Sequence, residues 1–150
     1  MPIQCDIVTQ ERMVFSGQVD AVNLPGSEGR MGILPHHSPL LTTLDFGEVV
    51  VRVNGVEEYF AIGGGFVEIQ PDHVTILADS AEQAEEIDLD RAERARQQAE
   101  EIMRTGVKDD PDRIAAVRAS LMRAEARVNV GRRRRRSAAM GAAPSRREDG

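Results

Sequence analysis

The chain has 150 residues, with 25 Asp+Glu against 19 Lys+Arg, a formal net charge of −6. Residues 1–90 carry 16 acids and 3 basic residues, net −13, while residues 91–150 carry 9 acids and 16 basic residues, net +7, which predicts two parts with different partners. No apolar run approaches the ~20 residues of a membrane helix, no basic or apolar region of a signal peptide follows Met1, and the one cysteine, Cys5, allows no intrachain disulfide and fits a reducing compartment.

Residues 1–80 read as β. Ile3, Cys5 and Ile7 alternate with Gln4 and Asp6, the period of a half-buried strand, with Cys5 a small core residue. Val49, Val51 and Val53 lead into Asn54-Gly55 and then Val56 to Ile62. Asn-Gly between two such runs predicts a hairpin, because a type I′ turn needs positive φ at both central residues. Pro71-Asp72 divides Phe66 to Ile69 from Val74 to Leu77 in the same way. Further turn signals stand at Pro25 to Gly29, Pro35 to Pro39, Asp45 to Gly47 and Gly63 to Gly65, the last expected as a turn or bulge with close backbone approach. Many short strands without intervening helices predict a sandwich or barrel rather than a parallel α/β sheet. All five aromatics, Phe15, Phe46, Tyr59, Phe60 and Phe66, lie in this half, so the substantial core is expected there.

From Asp88 to Arg104 there is neither Gly nor Pro. Ala92, Ala95, Ala99 and Ile102 recur at helical spacing, with Asp88 or Asp90 as cap and Gly106 as stop. A polar link, Lys108-Asp109-Asp110, precedes a second helix, with Asp110 as N-cap and Pro111 in the first turn. Its seam is Ile114, Val117, Leu121, Ala124 and Val128. Two narrow seams predict an antiparallel hairpin of helices. The first is mostly alanine and buries little area, so the hairpin is expected to be marginal alone and able to leave its resting place. Gly131 is expected to end the second helix, and 131–150, with Arg132 to Arg136, is expected to be a disordered basic tail.

Catalytic motifs are missing. Gly63-Gly64-Gly65 is not followed by the Gly-Lys-Ser/Thr of a phosphate loop. His36, His37 and His73 have no cysteine cluster, so no metal site is expected, and His36 and His37 on an extended segment would point oppositely. The arginine run suits phosphate neutralisation, yet no reading fold or stacking platform stands beside it. Asp88 and Arg91 share a face at a helix start, and Arg123 and Arg127 share a face of the second helix. In an antiparallel hairpin Arg91 and Arg127 both lie near the open end. Converging arginines at a helix N-terminus suit a nucleotide phosphate, while surface charge on amphipathic helices is the plainer reading.

Several ordered motifs together resemble one family. They are Leu24-Pro25-Gly26-Ser27-Glu28-Gly29, Gly32-Ile33-Leu34-Pro35-His36-His37-Ser38-Pro39-Leu40-Leu41-Thr42, Gly64 to Pro71, Val74 to Asp79, and Ile87-Asp88-Leu89-Asp90-Arg91-Ala92. Over roughly residues 1–130 the chain resembles the ε subunit of bacterial F-type ATP synthase. The resemblance implies a ten-stranded β-sandwich over 1–86 as the foot of the rotor stalk, a two-helix regulatory arm over 87–130, and the extra tail 131–150. It implies a non-catalytic subunit of a proton-translocating complex, peripheral on the cytoplasmic side of the bacterial inner membrane. The implied partners are the γ subunit, the ring of c subunits and, through an extended arm, the β subunits. Glu28, Arg30 and His37 fall on the implied surface for γ and the c-ring. Arg118, Arg123 and Arg127 are the implied inhibitory contacts of the arm. No cofactor is required, but ATP binds the folded arm in some relatives, and Asp88, Arg91, Arg123 and Arg127 match that site. Gln98 stands where a further basic residue is found there, so weak regulatory ATP binding is expected. The reading from a different class is a free-standing β-sandwich adaptor whose basic tail binds an acidic partner or nucleic acid.

Overall fold

The computed structural model describes residues 2–106 and 110–142, with side chains described as far as Arg135. The strands are β1 (Ile3–Val8), β2 (Met13–Val19), β3 (Ala21–Gly26), β4 (Gly29–Ile33), β5 (Leu40–Val53), β6 (Val56–Gln70), β7 (His73–Ala78) and β8 (Ala81–Gln83). They pair in the order β2-β1-β7-β6-β5-β3-β4, with β8 also on β6. All pairs are antiparallel except β1 with β7. The sheet folds over on itself. Phe15 of β2 and Phe60 of β6, separated by two strands in that order, meet edge to face with centroids 5.5 Å apart. Between the layers lies the main core, built from alternate residues such as Ile3, Cys5 and Ile7 of β1 and Val74 and Ile76 of β7. Cys5 is fully buried, and burial, helped by Asp6, pushes its thiol up to about 12, which makes it unreactive.

Eight strands replace the expected ten. The difference lies in β5 and β6, which run 14 and 15 residues without interruption. Along β6 the inward phase changes: Phe60 and Ile62 are buried, then Val67 and Ile69. The change occurs through Gly63-Gly64-Gly65, where Gly64 and Gly65 have φ of 88° and 133°. Glycine alone adopts these values without steric cost. A Cβ on Gly65 would lie 2.2 Å from the Leu77 carbonyl oxygen. The triplet thus makes the expected close approach, but inside a continuous strand rather than at its end.

Both predicted hairpins form. Asn54 and Gly55 take φ of 53° and 80° between β5 and β6, as a type I′ turn requires, and Gln70 pairs with His73 across Pro71-Asp72. The expected turn after β4 forms at Pro35–His36, so His36 and His37 do not sit on an extended segment. His36 has φ 69°, and its N–H donates to the Pro71 carbonyl at 2.8 Å.

A 3₁₀ turn, Ala84–Glu86, leads to α1 (Leu89–Thr105). Asp88 caps α1 by accepting from the Arg91 N–H at 3.1 Å, and the Gly106 N–H closes it on the Ile102 carbonyl at 2.8 Å. The polar link at Lys108 and Asp109 lies outside the described residues. Asp110 Oδ1 accepts from the N–H groups of Asp112 and Arg113 and so caps α2, which runs Pro111–Ala142.

Gly131 does not end α2, contrary to expectation, and 131–142 is helix rather than disordered tail. A single glycine costs a helix only about 1 kcal/mol relative to alanine, and arginine is a good helix former. The burial pattern also continues: Val130 is fully buried and Gly131 is buried beside it. A Cβ on Gly131 would meet Leu89 Cδ1 at 3.1 Å and Ile87 Cγ2 at 3.4 Å. Gly131 is therefore where the start of α1 crosses close to α2. Residues 143–150 lie outside the described residues.

The hairpin packs through Ala92 and Ala99 of α1 and Ala124 and Val128 of α2, with Ala95, Ile102, Ile114, Val117 and Leu121 half-buried. A second apolar face of α2 escaped the periodicity. Ala126 and Val130 pack with Ala61 of β6 and Ala84 of the 3₁₀ turn, flanked by Tyr59 and Ile87. Ala124 and Ala126 are two residues apart, about 200° around a helix. One side of α2 thus meets α1 and the other meets the sandwich.

Candidate functional site

Four residues match the implied nucleotide site, and the structure brings two of them together. Arg123 and Arg127 line a cleft of about 340 Å³ between β6, α1 and α2, with Ser80, Glu82, Ala95 and Ser120. The cleft exists because small residues wall it: Gly63 and Ala61 on β6, Ala95 on α1, Ala124 and Ala126 on α2. A Cβ on Gly63 would sit 2.1 Å from Ser80 Oγ. Arg127 is half-buried and held by Glu82, with Nε donating to Oε1 at 2.7 Å. Arg123 is exposed and its Nη2 donates to Ser120 Oγ at 3.3 Å. Asp88 and Arg91 do not line the cleft: Asp88 serves as the α1 cap and Arg91 is exposed. Gln98 is exposed on α1. Glu82 was not singled out in the sequence, since nothing local marks a residue 45 positions away as the partner of Arg127.

The arginine run meets three acids on three elements. Arg132 donates to Glu93 of α1, Arg133 Nε pairs with Glu48 of β5 at 2.8 Å, and Arg134 Nε pairs with Glu85 of the 3₁₀ turn at 3.3 Å. The Arg133 guanidinium also lies 5.5 Å from the Tyr59 ring centroid, a cation–π distance. Glu48 is the most enclosed of these acids, its side chain 12% exposed. Desolvation raises its pKa, and the charges of Arg133 and Arg30 oppose that rise. Glu93 is held below its ordinary value, chiefly by the hydrogen bond from Arg132.

The three residues expected at the γ and c-ring surface are spread out. Glu28 is exposed in the two-residue turn between β3 and β4. Arg30 Nε donates to Asn23 Oδ1 at 2.6 Å, and Arg30 lines a second cleft with Glu48 and Arg133. It therefore faces the Arg133 stretch of α2. His37 is half-buried, with Nδ1 2.7 Å from the Ser38 carbonyl. Among the described residues no hydrogen bond or ion pair joins the three. Arg118 is exposed on α2. An apolar feature missed in the sequence lies on the outer face of the sheet, where Phe66 and Leu77 are exposed and directly opposite on β6 and β7, with Leu41 exposed on neighbouring β5. Phe66 reads as core by type, and only the phase change at the glycine triplet turns it outward.

Among the described residues no group of three or more His, Cys, Asp and Glu could hold a metal, and no helix is long and apolar enough to cross a membrane.

Comparison with known proteins accounts for nearly the whole chain. The family described as ATP synthase, Delta/Epsilon chain, beta-sandwich domain matches residues 2–84, and ATP synthase, Delta/Epsilon chain, long alpha-helix domain matches residues 85–131. The ATP synthase epsilon chain of Herpetosiphon aurantiacus is 52% identical over 135 residues, 90% of this chain and 98% of that one. That of Dehalococcoides mccartyi strain CBDB1 is 51% identical over 136 residues, 89% and 95% of the two chains. In fold the chain resembles a chain of the Euglena gracilis mitochondrial ATP synthase, with TM-score 0.72 at 24% identity over 83% of this chain and 78% of that one. Sequence over both domains and fold agree: this chain belongs to the ATP synthase delta/epsilon chain family, as an epsilon-type, non-catalytic subunit of that complex.

Proposed function

We propose that the chain is a part of the rotor's central stalk that couples the c-ring to the catalytic hexamer and restrains ATP hydrolysis through its two helices. On this reading the sandwich binds γ and rests on the c-ring, and the complex sits at the bacterial plasma membrane with this subunit on the cytoplasmic side. The released arm reaches the β subunits, with Arg118, Arg123 and Arg127 as its basic contacts. One observation carries the reading. The sandwich has its own closed core, while the hairpin joins it through a small cluster of Ala61, Ala84, Ala126 and Val130. Such a contact can be made and broken without unfolding the sandwich, since alanine-lined faces bury little area against about 25 cal/mol per Å².

The exposed Phe66–Leu77 pair gives the sandwich an apolar contact for γ. Co-purification tests it. Purified γ is expected to retain the full chain and a version ending at Glu86 alike, and to lose both when Phe66→Asp and Leu77→Asp are combined. Failure of γ to retain the native chain would remove the stalk reading.

The cleft at Arg123 and Arg127 supports a second, weaker role in nucleotide binding. The Glu82 carboxylate already neutralises Arg127, and Gln98 adds no charge, so a phosphate meets little net positive field. ATP is therefore expected to bind only weakly, at millimolar rather than micromolar level. Titration of the full chain, followed by amide shifts in α2, checks this. No response at millimolar ATP would remove the ligand.

A further inference from the structure

The five-arginine run lies outside the residues used by the proposed coupling and braking, yet it is the most densely tied part of α2. We infer that Arg133 and Arg134 form an electrostatic latch that holds the arm down on the sandwich, while Arg132 ties α2 to α1 within the arm. The inference rests on the proposed mobility of the arm, and it assigns the run the opposite sense to a brake: it keeps the arm in its resting place.

The geometry of consecutive arginines carries the argument. Neighbouring residues on a helix point about 100° apart, so three in a row sweep about 200° of its circumference. A helix lying on a flat surface could pair only one of them. Here each finds an acid on a different wall: Glu93 on α1, Glu48 on β5, and Glu85 on the 3₁₀ turn. The Arg132–Arg134 stretch of α2 therefore lies in a groove with acidic residues on three sides. Val130 and Gly131, immediately before the run, are buried beside it. The run must be consecutive to do this, because a spacing of three or four would put every charge on one wall.

The electrostatics are graded. The pairs at Glu85 and Glu93 have one or both partners about half exposed, so each is worth little alone and is sensitive to salt. In the Arg133–Glu48 pair the arginine is also about half exposed, but the carboxylate is enclosed, and the Tyr59 ring reinforces the contact. Lifting the arm breaks the Arg133 and Arg134 pairs together, since they sit on successive residues of one rigid helix, while the Arg132–Glu93 pair stays within the arm. It also leaves Glu48 with only Arg30 beside it. The latch is therefore all-or-none, and ionic strength weakens it.

Hydrogen exchange on the full chain tests this, with the sandwich as internal control. In the native chain, raising salt from about 0.05 M to about 1 M, which shrinks the Debye length from ~14 Å to ~3 Å, is expected to lower the protection of α1 and α2 while β1, β6 and β7 hold theirs. Combining Arg133→Gln and Arg134→Gln keeps helix propensity and removes the charges that face the sandwich. This variant is expected to lose about tenfold in arm protection and to lose most of the salt response. Unchanged arm protection and salt response would overturn the latch. A charge swap guards against a trivial loss of structure. Arg134→Glu alone is expected to lower arm protection about threefold, and Arg134→Glu with Glu85→Arg is expected to restore it; a swap that restores nothing contradicts the pairing. The latch and the brake fail separately. If removing residues 87–150 leaves hydrolysis unchanged but arm protection still follows the arginines, the brake falls and the latch stands. If removal speeds hydrolysis but arm protection ignores the arginines, the latch falls and the brake stands.

Discussion

Single residues set the shape of this sandwich where space runs out. Gly65 carries a φ of 133° and has the Leu77 carbonyl oxygen where a Cβ would go, so neither strain nor crowding can be relieved by a side-chain rotation. Gly65→Ala is expected to cost about 2–4 kcal/mol in denaturant unfolding. Gly55→Ala, with a φ of 80° but open space, is expected to cost only about 1 kcal/mol. A second residue-scale test concerns Asp6. Its carboxylate accepts from Ser16 Oγ at 2.6 Å and Gln4 at 3.0 Å and lies 3.0 Å from His73 Nε2; chiefly the Ser16 bond holds its pKa below the ordinary value. The folded value is thus lower than the unfolded one. The stabilisation is fully present above the unfolded value of ~3.9 and is lost as pH falls through the folded one. Ser16→Ala is expected to cost about 1 kcal/mol at pH ~6 and much less at pH ~2; an equal cost at both would contradict the assignment. At this scale the sequence was legible where the cause is local. The Asn54-Gly55 turn, the Asp88 and Asp110 caps and the burial of Cys5 follow from neighbouring residues. The partners of Arg127 and of Arg132 to Arg134 come from residues roughly 40 to 85 positions away, and no local pattern announces them.

At the scale of elements, α2 shows what periodicity reports and what it hides. Its seam of Ile114, Val117, Leu121, Ala124 and Val128 was readable, because one apolar stripe at 3.6 spacing has one interpretation. The opposite stripe of Ala126 and Val130 is two residues long, too short to register as a pattern. Reading Gly131 as a stop failed for the same reason: a glycine at a helix crossing and a glycine at a helix end look alike until the crossing partner, Leu89, is known. The small stripe has a consequence. Val130→Asp places a charge in a fully buried apolar contact and is expected to detach the hairpin, seen as lost amide protection in α2, with the sandwich's unfolding midpoint shifted by less than about 1 kcal/mol equivalent. Simultaneous unfolding of both parts would show that they are one cooperative unit. β5 and β6 each do the work of two strands, and in β6 Gly64 and Gly65 let the strand change its inward phase while its register with β5 is kept on both sides.

For the whole molecule, the charge division of −13 against +7 takes on a new meaning. Acids of the first half, Glu48, Glu82, Glu85 and Glu86, each receive an arginine, and three of those arginines come from α2. The two halves are matched to each other, so the basic run does not demand a polyanion as its partner. Family membership likewise displaces the free-standing adaptor reading. What remains is a folded sandwich with a helical arm resting on it through a thin apolar contact and salt-sensitive ties. On the proposed reading, this arm restrains the complex when it leaves that rest. Reconstituting the complex with the full chain and with a version ending at Glu86 tests it most directly. Both are expected to assemble and synthesise ATP, with ATP hydrolysis several-fold faster without residues 87–150. Equal hydrolysis rates in two fully assembled complexes would contradict it.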